Sequence, residues 1–129
     1  MNIYQLTIKE VLYIIKTNRN YVSKKSSSNL HTITVKELIT EVLNLKYTID
    51  IILTELNSVV RVKMDNYMLA ILEAVEYIED TQEMISLLSN NDTSVNGLSK
   101  LPKSRLVAIF LHLENLMHKI KYIMEDTQK

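Results

Sequence analysis

The sequence predicts an all-α protein: an antiparallel bundle of four long helices with room for a short fifth. Two observations carry this. Glycine and proline occur once each in 129 residues, although 47% of the chain is hydrophobic, so there is a core to bury and almost nothing to punctuate strands or tight hairpins. The apolar residues also recur at alternating steps of four and three, the spacing that puts side chains on one face of a helix.

The first element is expected at 7–16. In "LTIKEV", Leu6–Val11, Thr7 can cap a helix with Glu10 reaching back to it, while Leu6 and Val11 pack as a staple. Ile8, Val11, Leu12 and Ile15 then fall on one side, and Ile3 and Tyr4 offer a further turn upstream. "ITVKEL", Ile33–Leu38, repeats the instruction with Thr34 and Glu37 as the box and Ile33 and Leu38 as the staple. Both hexapeptides are expected to be helix starts. Beyond them the two copies diverge, so no repeat is inferred. Between them, 17–33 is expected to be a basic, Ser-rich connector.

The second helix, 34–62, has the clearest pattern. Leu38, Val42, Leu45, Ile49, Ile52, Leu56 and Val59 form a heptad seam, widened by Ile39, Leu53 and Val60. The register then slips, and Met64, Met68, Ile71, Val75, Ile78, Gln82 and Ile85 set a new phase for a helix over 64–88. Unbroken, Thr34–Leu88 would be roughly 80 Å long at 1.5 Å per residue, so a turn near Val59–Val62 and Asp65–Asn66 is expected. Residues 89–101 hold the only Gly, in an Asn-Gly pair, and read as a loop. The last helix, 102–126, starts at Pro102, whose missing N–H costs little there. Leu106, Phe110, Leu113, Met117, Ile120 and Met124 make one row on it, with Ile109, Leu116 and Ile123 a second.

Composition excludes several function classes. There is no Cys, hence no disulfide frame, thiolate nucleophile or Cys-ligated metal. The longest apolar run is Leu106–Leu111, far short of a membrane span, and "MNIYQLTIKE" lacks the features of a signal peptide. A cytoplasmic protein with no membrane association is expected. A net charge of zero conceals segregation. Residues 1–36 carry six basic groups against Glu10, residues 37–92 eleven acidic against three basic, and residues 93–129 six basic against three acidic. Such separation steers partners or orients copies of the chain on one another.

"LTIKEVLYIIKTNRNYVSKK", Leu6–Lys25, resembles the opening of excisionase-like and MerR-like helix-turn-helix segments. The resemblance implies that Arg19, Asn20, Lys24 and Lys25 lie on or near a recognition helix and reach DNA. The chain departs from that pattern: Leu12 stands where a small residue is expected, and Lys25 and Ser26 stand where apolar residues would anchor the recognition helix. Arg105 and His112 resemble the spaced Arg–His pair of HEPN-type ribonucleases, which implies action at an RNA phosphate across a dimer. Here all intervening residues are apolar, and the pair equally suits the edge of a core stripe.

Glu73, Glu76, Asp80 and Glu83, with Glu79 beside them, place carboxylates on one face opposite the apolar seam. That spacing fits a solvated face or a docking strip for a basic partner. The Glu-x-x-His pairs of di-metal bundles are missing, as are Gly-rich phosphate loops and nucleophile elbows. Glu114 and His118 are one turn apart, and His31 sits in the connector. Met64, Met68, Met117 and Met124 fall on apolar faces, where Met fills a core or lines an adaptable binding face. The expectation is a non-enzymatic interaction protein, without metal or cofactor, that binds a protein partner or itself through helical faces. A nucleic-acid-binding regulator is the alternative, and an RNase the remote one.

Overall fold

The computed structural model describes residues 2–22, 32–59 and 64–128, with the side chains of residues 19–22 outside that description. Five helices and no strand occur among them: α1 (Ile3–Val22), α2 (Val35–Asn57), α3 (Asn66–Leu88), α4 (Val95–Ser99) and α5 (Lys103–Thr127). The protein is an all-α helical bundle, as the periodicity predicts.

The seams are buried where the spacing puts them. All seven seam positions of α2 and its continuation, Leu38 to Val59, are buried, and so is every residue of both rows on α5. α5 is therefore covered broadly, and it packs against α1, α2 and α3. Phe110, the only Phe, is in the first of these rows, 1% exposed. On α3, Met68, Ile71, Val75, Ile78 and Ile85 are buried while Met64, ahead of the helix, is exposed.

The helix starts require a correction. Only the second hexapeptide opens a helix. Thr34 Oγ1 accepts from the Glu37 N–H at 3.1 Å, and Ile33 and Leu38 are both buried as a staple. α1 instead begins at Ile3, with its cap at Asn2, five residues before Thr7. Asn2 Oδ1 accepts from the Gln5 N–H at 2.9 Å and Gln5 Oε1 accepts from the Asn2 N–H at 3.0 Å, a reciprocal box. Thr7 is buried in the second turn, its hydroxyl donating to the Ile3 carbonyl at 2.9 Å. The earlier box wins because it adds more than a turn of helix and buries Tyr4 with Ile8, Val11 and Ile15. A mid-helix Thr loses little, since it can back-bond to the carbonyl one turn upstream.

α1 also ends later than 16. Nothing between Lys16 and Val22 breaks a helix, and the Thr17 hydroxyl folds back onto the Tyr13 and Ile14 carbonyls at 3.1 and 2.9 Å. The resemblance to a helix-turn-helix needed a turn here, before Arg19; the backbone runs straight through it. Lys24, Lys25 and His31 lie outside the described residues, as do residues 60–63, where the chain passes from α2 to α3.

α1 and α3 begin side by side through their own caps. Asp65 Oδ1 accepts from the Met68 N–H at 2.8 Å, while its Oδ2 accepts from Asn2 Nδ2 at 3.2 Å. Gln5 Nε2 in turn donates to the Tyr67 hydroxyl at 2.9 Å. One small network thus satisfies two helix N-termini and ties them together.

At its other end α3 closes through Asn90 and Asn91, with φ of 55° and 63°, the left-handed region that Asn tolerates better than most residues. The Asn91 N–H donates to the Ser86 carbonyl at 2.8 Å. The segment expected as a plain loop then contains the short α4. Ser94 Oγ accepts from the Gly97 N–H at 3.0 Å. Asp92 Oδ1 accepts from the Ser94 hydroxyl and N–H at 2.6 and 3.1 Å, and those bonds hold its carboxyl below the usual range. The one glycine is required by proximity: a Cβ on Gly97 would collide with the side chain and carbonyl of Asp92.

Two stability measurements check these assignments by chemical denaturation. Asn2→Ala is expected to cost about 1 kcal/mol or more, with Thr7→Val near neutral; the opposite order restores Thr7 as the cap. Gly97→Ala ordinarily strengthens a helix, yet here it is expected to cost about 1–3 kcal/mol through overpacking.

Candidate interaction surface

The start of α3 and the end of α5 run antiparallel and leave a groove of about 740 Å³ between them. Its α3 wall carries Asp65, Tyr67, Leu69, Ala70, Glu73 and Tyr77, and its α5 wall Lys119, Tyr122, Ile123 and Asp126. Leu69 is half exposed and Tyr122 is 70% exposed, so the groove presents apolar surface to solvent. The helix period explains the wall. Tyr67, Ala70 and Tyr77 follow the buried stripe of α3 along one edge, with Leu69 and Glu73 one step further out.

Two of the polar groups are already committed. Both Asp65 oxygens accept hydrogen bonds, from the Met68 N–H and from Asn2, and the Tyr67 hydroxyl accepts from Gln5. These fix the mouth of the groove to the start of α1. Further in, the Lys119 ammonium lies 4.5 Å from the centroid of the Tyr77 ring, a cation–π contact. Glu73, one turn before Tyr77, and Asp126 on the facing wall are both exposed.

Glu73 also begins the acidic stripe. Glu73, Glu76, Asp80 and Glu83, with Glu79, are all exposed along α3. The ion pairs recorded among the described residues are Lys46–Asp50 at 3.8 Å and Lys121–Glu125 at 3.1 Å, each within one helix. Among the described residues no ion pair joins the stripe to another helix. Gln82, half buried on another side of α3, donates its amide to the Asp50 carboxylate of α2 at 3.4 Å. Among the described residues no group of three or more His, Asp or Glu side chains is arranged to hold a metal ion.

The remaining candidates are scattered. Arg105 and His112 both face solvent on α5, and neither lines the groove. His118 is exposed as well. Arg19 and Asn20 belong to the last turns of α1, on the same helix as Ile8 and Val11, with their side chains outside the description. No helix among the described residues is long and apolar enough to cross a membrane.

Sequence reasoning missed the groove because its tyrosines come from two helices some fifty residues apart, and period alone does not say which helices meet. It also missed Glu41, a carboxylate only 1% exposed on α2. The signal was present: Glu41 and Thr48 fall at four-three steps between the seam residues Leu38, Leu45 and Ile52, on the same side of the helix, and all five are buried.

These features define a small all-α bundle protein whose most developed surface is an acidic helix face running into a tyrosine-lined groove. The chain is 82% identical over 127 residues to the early protein GP17 of Bacillus phage B103, covering 98% of each chain, and it belongs to the family of that phage protein. No protein-family model and no solved structure matches it.

Proposed function

We propose that this chain is a non-enzymatic early phage protein that acts in the host cytoplasm by binding a protein partner, or a second copy of itself, through its helical faces. The observation that carries this reading is the α3 stripe: five exposed carboxylates within three turns, with no ion pair to another helix among the described residues. Like charges so placed repel one another and cost stability, and a face that bears such a cost for nothing is easily lost to substitution. A cationic partner surface would turn the repulsion into attraction and orient the encounter. The name of the phage B103 relative supports the timing, since that protein is called an early protein.

The reading is tested by capture from infected host cells. A tagged chain is expected to retain a specific partner that is lost, with helicity unchanged, when Glu76, Asp80 and Glu83 are changed together to Lys. Self-association is checked by light scattering at micromolar concentration, where a dimer is expected. A strict monomer that captures nothing the charge-reversed variant does not also capture would sink the proposal. Salt-dependent retention on DNA, together with loss of it on changing Arg19, Lys24 and Lys25, would favour a nucleic-acid-binding regulator instead.

A further inference from the structure

The groove between α3 and α5 has a chemistry more specific than an acidic face. Its floor and rim are aromatic and aliphatic: the rings of Tyr67, Tyr77 and Tyr122 with Leu69 and Ile123. Its charges are three carboxylates against one ammonium. Asp65 is consumed in capping α3 and bonding Asn2, which leaves Glu73 and Asp126 as the exposed anions. Tyr77, one turn beyond Glu73 on α3, is already covered by a cation from the protein itself, Lys119.

We propose that this groove is a binding site for an arginine-centred basic segment of a partner protein, with Lys119 holding the place of the arginine until the partner arrives. This rests on the interaction-protein reading and names the chemistry of its partner. Three facts select the occupant. The contact of Lys119 with Tyr77 shows that the ring face receives a cation in this setting. A guanidinium displaces an ammonium from such a position because it is flat, more weakly hydrated and able to stack on the ring while donating sideways to a carboxylate. Glu73, one turn from Tyr77, is the carboxylate available to receive those donors, and Asp126, two turns along α5 from Lys119, adds a second anion further along the groove. Leu69 and Tyr122 add apolar surface for the residues flanking the arginine, and the stripe beyond Glu73 continues the attraction along α3. Nucleic acid is the wrong occupant for the same reasons, since its phosphates would face Glu73 and Asp126.

Lys119 gives the proposal an unusual sign. Removing it deletes a surface cation, which would be neutral for a merely structural contact, but here it vacates the site. The experiment is fluorescence anisotropy at low salt with the full chain and a short fluorescein-labelled peptide alternating arginine with leucine. Parallel probes carry lysine or glutamate in place of arginine, and a single-stranded oligonucleotide is the fourth. Saturable binding of the arginine peptide is expected, weaker for lysine and lost for glutamate. Lys119→Ala is expected to tighten it by about five-fold, and Tyr77→Leu to loosen it by at least as much. Glu73→Lys, on an exposed position that leaves the fold intact, is expected to weaken it by about ten-fold or more.

No saturable binding of the arginine peptide overturns the proposal. So does binding that these three substitutions leave unchanged, or a preference for the oligonucleotide. Capture of a partner from infected cells that survives Glu73→Lys and Tyr77→Leu but fails on the triple change at Glu76, Asp80 and Glu83 would remove the groove while leaving the broader interaction reading standing.

Discussion

The burial of α5 organises everything else in this protein. A helix with a single apolar row needs one neighbour; α5 has two rows, Leu106 to Met124 and Ile109 to Ile123, and all nine residues are withdrawn from water. Satisfying both rows requires helices on several sides, and α1, α2 and α3 supply them. At roughly 1.5–3 kcal/mol for each large apolar side chain withdrawn from solvent, this one helix offers the largest single reason for the chain to close. The other helices can then afford polar outer faces, because each needs only the stripe that meets α5 or its flanking partner.

The same constraint produces the groove. α5 runs on to Thr127 alongside the first turns of α3; Ile120, Ile123 and Met124 stay buried there, while Tyr122, Asp126 and the half-exposed Leu69 lie outside that stripe and line the opening. The opening does not loosen, because the caps of α1 and α3 are bonded to each other. Asn2, Gln5, Asp65 and Tyr67 form a closed set of hydrogen bonds between 2.8 and 3.2 Å at its mouth. A mouth tied by hydrogen bonds beside a partly exposed aromatic wall is a setting in which a side chain such as Lys119 settles onto the ring face left open.

Much of this was legible from residue order. Seam positions on α2 and α5 are decided by a period that the helix imposes and that tertiary contacts only ratify, so Leu38 through Val59 and Leu106 through Met124 could be named in advance. The doubled hexapeptide was misleading because a capping box is a local preference of about a kilocalorie, and a better-placed local preference nearby overrides it. Asn2 with Gln5 does this to Thr7, whereas Thr34 keeps its own box with Glu37. The short α4 was hidden by a composition dominated by turn-formers, and its start is set by Asp92, Ser94 and Gly97 meeting at close range. The tyrosine groove was not legible at all. Tyr67, Tyr77 and Tyr122 mean nothing separately, and their convergence follows from α3 and α5 being antiparallel neighbours, a fact of packing and not of pattern.

The charge pattern could be read from sequence, and the structure adds what it means. Segregated charges in a small bundle usually find each other across helices and cancel. Here the recorded pairs, Lys46 with Asp50 and Lys121 with Glu125, are one-turn contacts on single helices, the kind that contributes only a few tenths of a kilocalorie in water. The carboxylates of α3 are left facing solvent, and Lys119 takes an aromatic ring rather than one of them as its recorded contact. Fold stability therefore draws little on the charges, which leaves them free to be arranged for something outside the bundle. That separation, with apolar rows holding the helices and ionised side chains exposed on one face of α3, is the physical argument on which the proposed partner contact rests.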